Sequence, residues 1–225
     1  DYITNETCII FSPGYNSSLC PELLSHYKKI IFSNYELTDG IFEAYENEKF
    51  QDLRHIGSNF NLSLANSLNN CTSLTHLTFG SRFNKPLGNS LNNCTALTIL
   101  VFGNNFNSKL GNALNNCIAL THIEFGNNFS QPLFNSLNNC TALTHIKFGM
   151  EFNRQLNNAL DNCTSLTYIK FGYNFNQFLA NSLNNCKSLT HIEFGVEFNQ
   201  LLHNALDNCT LLSHIIFGYY FNQPL

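Results

Sequence analysis

CTSLTHLTFGSRFNKPLGNSLNN, residues 71–93, recurs in varied form every 23 residues through the rest of the sequence. Its cysteine returns at Cys94, Cys117, Cys140, Cys163, Cys186 and Cys209. A fixed period of roughly 20–50 residues is the mark of a stacked repeat architecture. Counting the cysteine as position 0, leucine or isoleucine recurs at 3 and 6, phenylalanine at 8 and 12, glycine at 9, and leucine at 16 and 20. In one copy these are Leu120, Ile123, Phe125, Phe129, Gly126, Leu133 and Leu137. Apolar and polar residues alternate from Thr121 to Phe125, the pattern of a strand with one buried face. Beyond Gly126 the apolar spacing widens and Asn, Ser and Pro crowd in, so this part turns, with a short helical turn expected at 135–138. A single copy buries too little to offset the entropy of ordering its backbone. Copies therefore stack, each laying its strand beside the next in a parallel ladder.

The strand wording Leu-x-x-Ile-x-Phe-Gly, at Leu143 to Gly149 and Leu189 to Gly195, resembles that of a leucine-rich repeat. The 23-residue form with Asn-Cys ahead of it, and a pair such as Ala159-Leu160 before Cys163, is similar to the BspA-like subclass. The stretch Ser188 to Gln200 also resembles the FNIP repeats of social amoebae and mimivirus-type giant viruses, although those carry Leu-Pro where this chain has Asn-Asn-Cys. The resemblance implies a right-handed, curved leucine-rich-repeat solenoid. A parallel β-sheet would line its concave face, and turns and short helical turns its convex face. It also implies a non-enzymatic module that binds a protein partner, with substrate recruitment for a ubiquitin ligase as one alternative and a self-assembling structural solenoid as another.

Residues 57–225 carry the repeats, and residues 1–56 read as an N-terminal cap built of degenerate ones. Ile9-Ile10-Phe11 and Ile30-Ile31-Phe32 echo the repeat strand, a short helix is expected from Cys20 to Tyr27, and His55-Ile56-Gly57 rejoins the phase. The final coil is incomplete, and its uncapped face is expected to meet a second copy of the chain.

Eleven Lys plus Arg stand against fifteen Asp plus Glu, with no basic cluster, so nucleic acid is not an expected partner. No apolar run approaches the length of a transmembrane helix, and no membrane partner is expected. Seven of the nine cysteines are explained by the period as a column of small buried thiols packing like alanine. An odd, evenly spaced ladder offers no pairing scheme, which together with reduced thiols points to an intracellular, cytoplasmic protein, in host cytoplasm if viral. Pairing of Cys8 with Cys20 is left open. Asn-Cys-Thr recurs at Asn70, Asn93, Asn139, Asn162 and Asn208, and here asparagine reads as a turn residue rather than a glycan acceptor.

Positions 5 and 7 point away from the interior and form the candidate partner-binding face. They are His76, Thr78, Ile99, Val101, His122, Glu124, His145, Lys147, Tyr168, Lys170, His191, Glu193, His214 and Ile216. Neighbouring histidines invite a metal reading, yet no third donor is set to converge on them, so no metal or other cofactor is expected. Glu124 beside Lys147 and Lys170 beside Glu193 read as cross-strand pairs. No nucleophile, phosphate loop or isolated cysteine points to catalysis.

Overall fold

The computed structural model describes residues 2–12, 14, 15, 17, 21–32, 60–64, 66–138, 140–161, 163–202 and 204–224. Ten strands form one sheet in sequence order. They are β1 (Tyr2–Thr4), β2 (Cys8–Phe11), β3 (Lys29–Phe32), β4 (His76–Thr78), β5 (Ile99–Val101), β6 (His122–Glu124), β7 (His145–Lys147), β8 (Tyr168–Lys170), β9 (His191–Glu193) and β10 (His214–Ile216). From β2 onward every pairing is parallel, and from β4 the register is one whole repeat, as in Ile123 opposite Ile146 opposite Ile169. The chain is a parallel-sheet solenoid.

Two phenylalanine columns fill the interior. Phe125 stacks on Phe102 at 5.4 Å and on Phe148 at 5.5 Å, while Phe129 of the same coil lies 4.1 Å from Phe125 and 5.9 Å from Phe152. The rings are nearly parallel throughout, since translation by one rung reproduces each ring's setting. Each fully buried ring contributes about 2–3 kcal/mol from apolar area alone. The spine runs into the N-terminal region: Phe11 stacks on Phe32, Phe32 on Phe79, and Phe60 on Phe83. The strand beside β4 is therefore β3, and the outer half of that coil is supplied by Phe60, Leu64 and Leu68, all buried. The expected re-entry at His55 to Gly57 lies outside the described residues, as do Cys20 and its possible pairing.

The first three residues of the described chain add an edge that the repeat pattern does not announce. Tyr2–Thr4 runs antiparallel to β2, with Tyr2 opposite Phe11 and their rings 5.7 Å apart. Little helix is present: α1 (Pro21–Leu24) is a single turn inside the stretch expected to be helical. The helical turns expected on the outer side are instead tight turns closed by bonds of three-residue span, such as Ser136 N to Leu133 O and Asn138 N to Asn135 O. The reason is local. Position 17 opens this segment in the left-handed region, at Gly88, Gly111, Phe134, Asn157 and Ala180, with φ of 58°, 61°, 46°, 49° and 48°. Position 22 closes it the same way at Asn70, Asn93 and Asn116, and a helix cannot run through either.

Polar ladders lock the rungs. The amide of Asn107 donates to Asn84 Oδ1 at 2.8 Å, that of Asn176 to Asn153 Oδ1 at 3.0 Å, and that of Asn199 to Asn176 Oδ1 at 3.0 Å. Where Ser130 replaces asparagine its hydroxyl accepts from Asn153 N instead. Asn93 and Asn116 extend a second ladder, each side-chain amide donating to the asparagine one rung before. The sequon asparagines Asn70 and Asn93 thus serve as left-handed turn residues and as links between coils. The cysteines do more than fill space. Cys94 Sγ donates to Leu68 O at 3.0 Å and Cys209 Sγ to Leu183 O at 3.4 Å, so the thiols satisfy carbonyls of the preceding coil. None of the seven repeat cysteines is in a disulfide. Burial pushes Cys117 and Cys163 up to about 12, which suppresses the reactive thiolate.

At position 9 the stack leaves no room for a side chain. A Cβ on Gly126 would lie 2.1 Å from Gly103 O, and one on Gly149 2.0 Å from Gly126 O. Neighbouring backbones meet there with no room for any side chain. Gly88 differs: glycine relieves the strain of its φ of 58°, while a Cβ there would meet open space. Gly149→Ala is expected to destabilise the protein by about 3 kcal/mol through forced separation of rungs. Gly88→Ala should cost only about 1 kcal/mol, the left-handed penalty. Urea unfolding of the two variants checks the order, and equal midpoints would refute it.

Candidate functional site

Each short strand buries its middle residue, Leu77, Leu100, Ile123, Ile146, Ile169 or Ile192 in β4 to β9, and turns the residues on either side outward. All fourteen expected face residues accordingly lie on the solvent side of the sheet. They divide into two neighbourhoods. His76, Thr78, Ile99 and Val101 form a less charged patch on β4 and β5, whereas the charged side chains Glu124, Lys147, Lys170 and Glu193 lie on β6 to β9. In β10 all three residues are exposed, including the middle one, Ile215.

His76, His122, His145 and His191 are held from below by the threonine that precedes each of them, and His214 by Ser213. Thr121 Oγ1 donates to Thr98 O at 3.0 Å, Thr144 Oγ1 to Thr121 O at 3.0 Å, and Thr190 Oγ1 to Thr167 O at 3.0 Å. A hydroxyl has one proton, and these have spent it on a carbonyl. The ring nitrogens Nδ1 of His122, His145 and His191, at 2.8, 2.9 and 2.8 Å from the hydroxyls, must then be the donors. The tautomer follows by inference: Nδ1 carries hydrogen and Nε2 is the acceptor. The rings stack in pairs, His122 on His145 at 4.4 Å and His191 on His214 at 4.3 Å, with Tyr168 separating the pairs. Stacked rings set their Nε2 lone pairs side by side rather than converging. Among the described residues no group of three or more His, Cys, Asp or Glu is placed to hold a metal.

Beside this column runs a row of charges. Lys147 Nζ lies 2.5 Å from Glu124 Oε1, and Lys170 Nζ 2.5 Å from Glu193 Oε2. Tyr168 also donates its hydroxyl to Glu193 Oε1 at 2.7 Å. Burial pushes the Glu193 carboxyl up, but its bonds from Lys170 and Tyr168 outweigh that and hold it below the usual carboxylate value. Tyr168 is pushed well up, by burial first and then by the Glu193 carboxylate it bonds. The pair is a fixed part of the face at neutral pH.

Sequence reasoning missed one wall of this site. An open trough of about 540 Å³ runs across the rungs, with Lys147 and Lys170 on one side and Met150 and Tyr173, both from position 10, on the other. The available signal was that position 10 varies as positions 5 and 7 do, reading Asn104, Asn127, Met150, Tyr173, Val196 and Tyr219.

The chain matches the family described as "BspA type Leucine rich repeat region (6 copies)" over residues 25–131 and 133–222. Among solved structures it is similar to CroV588, a giant-virus protein described as a novel circular LRR structure. The identity is 28%, with a TM-score of 0.60, over 100% of this chain and 36% of that one. It is also similar in fold to an internalin, inlF, from Listeria monocytogenes, at 18% identity and a TM-score of 0.62, over 94% of this chain and 54% of that one. The chain thus spans about a third of the length of CroV588 (36%) and about half that of the internalin (54%). No curated protein matches the chain.

His145 is lowered from the ordinary histidine value, by burial first and by the charge of His122 second. Its folded value therefore lies below its unfolded one, so its contribution to stability is complete above about pH 6.5 and is lost as pH falls through the folded value. His122→Gln removes the second cause and is expected to move the His145 titration part of the way back up. Proton NMR of the ring Cε1–H against pH reads this directly, and an unmoved titration would show that the stacked rings do not interact.

Proposed function

The chain belongs to the BspA-type leucine-rich repeat family, and from that premise we propose that it is a non-enzymatic binding module whose concave sheet face holds a protein partner. The leucine-rich repeat is a fold generally used for protein interaction. One observation supports the reading most. From rung to rung the interior stays Leu, Ile, Phe, Cys and Gly, while the outward positions 5, 7 and 10 change charge, size and polarity. A scaffold whose only requirement was stacking would have no use for that variety. The reduced, buried thiols favour a reducing compartment, and on this reading the protein works inside a cell.

Replacing His122, Glu124, Lys147 and Tyr168 together by alanine tests this reading against an outer-turn control, Asn112→Ala with Asn158→Ala. In quantitative affinity capture from lysate, at least one protein held by the parent chain and the control should fall about tenfold with the face variant. Identical captures by all three would remove the sheet face from the function.

A further inference from the structure

The trough beside the histidine column has a chemistry of its own, and the proposal drawn from it rests on the reading that the sheet face binds protein. Its floor is the glycine column: a side chain at Gly149 would strike Gly126 O, and one at Gly172 would come within 1.8 Å of Gly149 O. The floor is therefore bare backbone at each rung, and the depth of the trough is set by the packing of the coils rather than by side-chain rotamers.

Charge along its inner wall reads minus, plus, plus, minus from Glu124 to Glu193, so the wall is formally neutral. What it shows to solvent is not neutral. The Lys147 and Lys170 side chains are 49% and 43% exposed, while their partners Glu124 and Glu193 are only 18% and 26% exposed. Each carboxylate lies low against the sheet, and Glu193 also accepts from the Tyr168 hydroxyl. Lys147 and Lys170 stand directly opposite one another in the β7–β8 register. Each is drawn toward its own glutamate on the far side, so the two side chains diverge and leave an opening between adjacent rungs with an exposed lysine on each side. Like charges placed directly across two strands repel, a cost that a stacking scaffold would avoid.

The opposite wall is apolar. Met150 and Tyr173, from the same two rungs as the lysines, are 48% and 46% exposed and line the same trough. A ligand that fits must carry an anion to enter between the lysines and, next to it, apolar surface to cover Met150 and Tyr173. Charge complementarity and the open, elongated shape select an extended polypeptide rather than a compact solute.

We propose that this trough is the specificity-determining subsite of the face and takes an extended segment of the partner protein in which an acidic side chain adjoins an apolar one. The carboxylate enters between the lysines and pairs with the ammonium group of one of them, and the neighbouring side chain packs on Met150 and Tyr173. Glu124 and Glu193 orient the lysines and repel segments whose charge is reversed.

The test uses fluorescein-labelled peptides, amidated at the C-terminus, that present Asp–Phe pairs in a Gly/Ser frame, with counterparts in which Asp becomes Asn or Phe becomes Ser. In polarisation titrations at about 0.15 M salt the Asp–Phe peptide is expected to bind about tenfold more tightly than either counterpart. Lys147→Gln with Lys170→Gln, checked for folding by circular dichroism, should abolish the preference for Asp over Asn. Met150→Ala with Tyr173→Ala should abolish the preference for Phe over Ser. Equal binding of Asp and Asn peptides by the parent protein, or no binding of the Asp–Phe peptide up to about 1 mM, overturns the proposal without any variant. That failure is distinct from failure of the broader reading: if the four-residue face variant still loses its captured protein while the peptides do not discriminate, the face binds protein but not through this subsite.

Discussion

Where glycine follows the strand, adjacent coils leave no room for a side chain, and the rest of the molecule is arranged around that contact. With each carbonyl of the column occupying the place of the next rung's Cβ, the coils meet at one separation there. Once the backbones are that close, equivalent side chains have no choice but to stack on their own copies. Phenylalanine suits this requirement because a flat ring repeats at the rung spacing without interlocking. Asparagine suits it because one side chain both accepts from the next rung's amide and tolerates a left-handed backbone. The repeat's vocabulary is narrow because few side chains can be translated onto themselves at that distance and still satisfy their polar groups.

Much of this was legible from the chain alone. The period of the cysteines gave the stack, alternation from Thr121 to Phe125 gave the strand and its buried face, and the echo of Ile30-Ile31-Phe32 anticipated a strand in the N-terminal region. Other features were hidden for identifiable reasons. Tyr2–Thr4 is too short to show a period, and its antiparallel pairing is decided by contact with Phe11 rather than by its own sequence. The outer segment was read as turns with a short helical turn at 135–138, but the apolar spacing is silent about the left-handed residues that interrupt it. Phe134 is a particular case, since nothing about phenylalanine advertises a φ of 46°. The face residues at positions 5 and 7 were found because they alternate with buried ones. Met150 and Tyr173 escaped notice because they lie past the glycine, where alternation ends and no simple period says which way a side chain points.

The same rigidity that fixes the interior gives the sheet face its character. Threonine hydroxyls bonded to carbonyls one rung back leave each histidine a single way to sit, so a chemically soft residue becomes a fixed acceptor on a flat lattice. Neighbouring lysines on β7 and β8 are an electrostatic cost within the scaffold, and their glutamates relieve it only in part. A stack able to dictate where every outward group stands can hold such an arrangement in place, and variation at three positions per coil changes what the surface presents while the frame beneath stays the same.

The ladders linking one coil to the next also govern how the protein responds to force. Tension applied along the stack loads the asparagine, threonine and cysteine links of every coil in series, while shear across a rung loads the strand bonds on both of its sides at once. Such a body yields from an end, one loop at a time, and each loop set free lengthens the tether by the same increment. Re-formation follows the opposite order, with each recaptured loop settling onto a surface already shaped to receive it. Stretched between two attachments, the molecule would act as a graded spring with evenly spaced extensions.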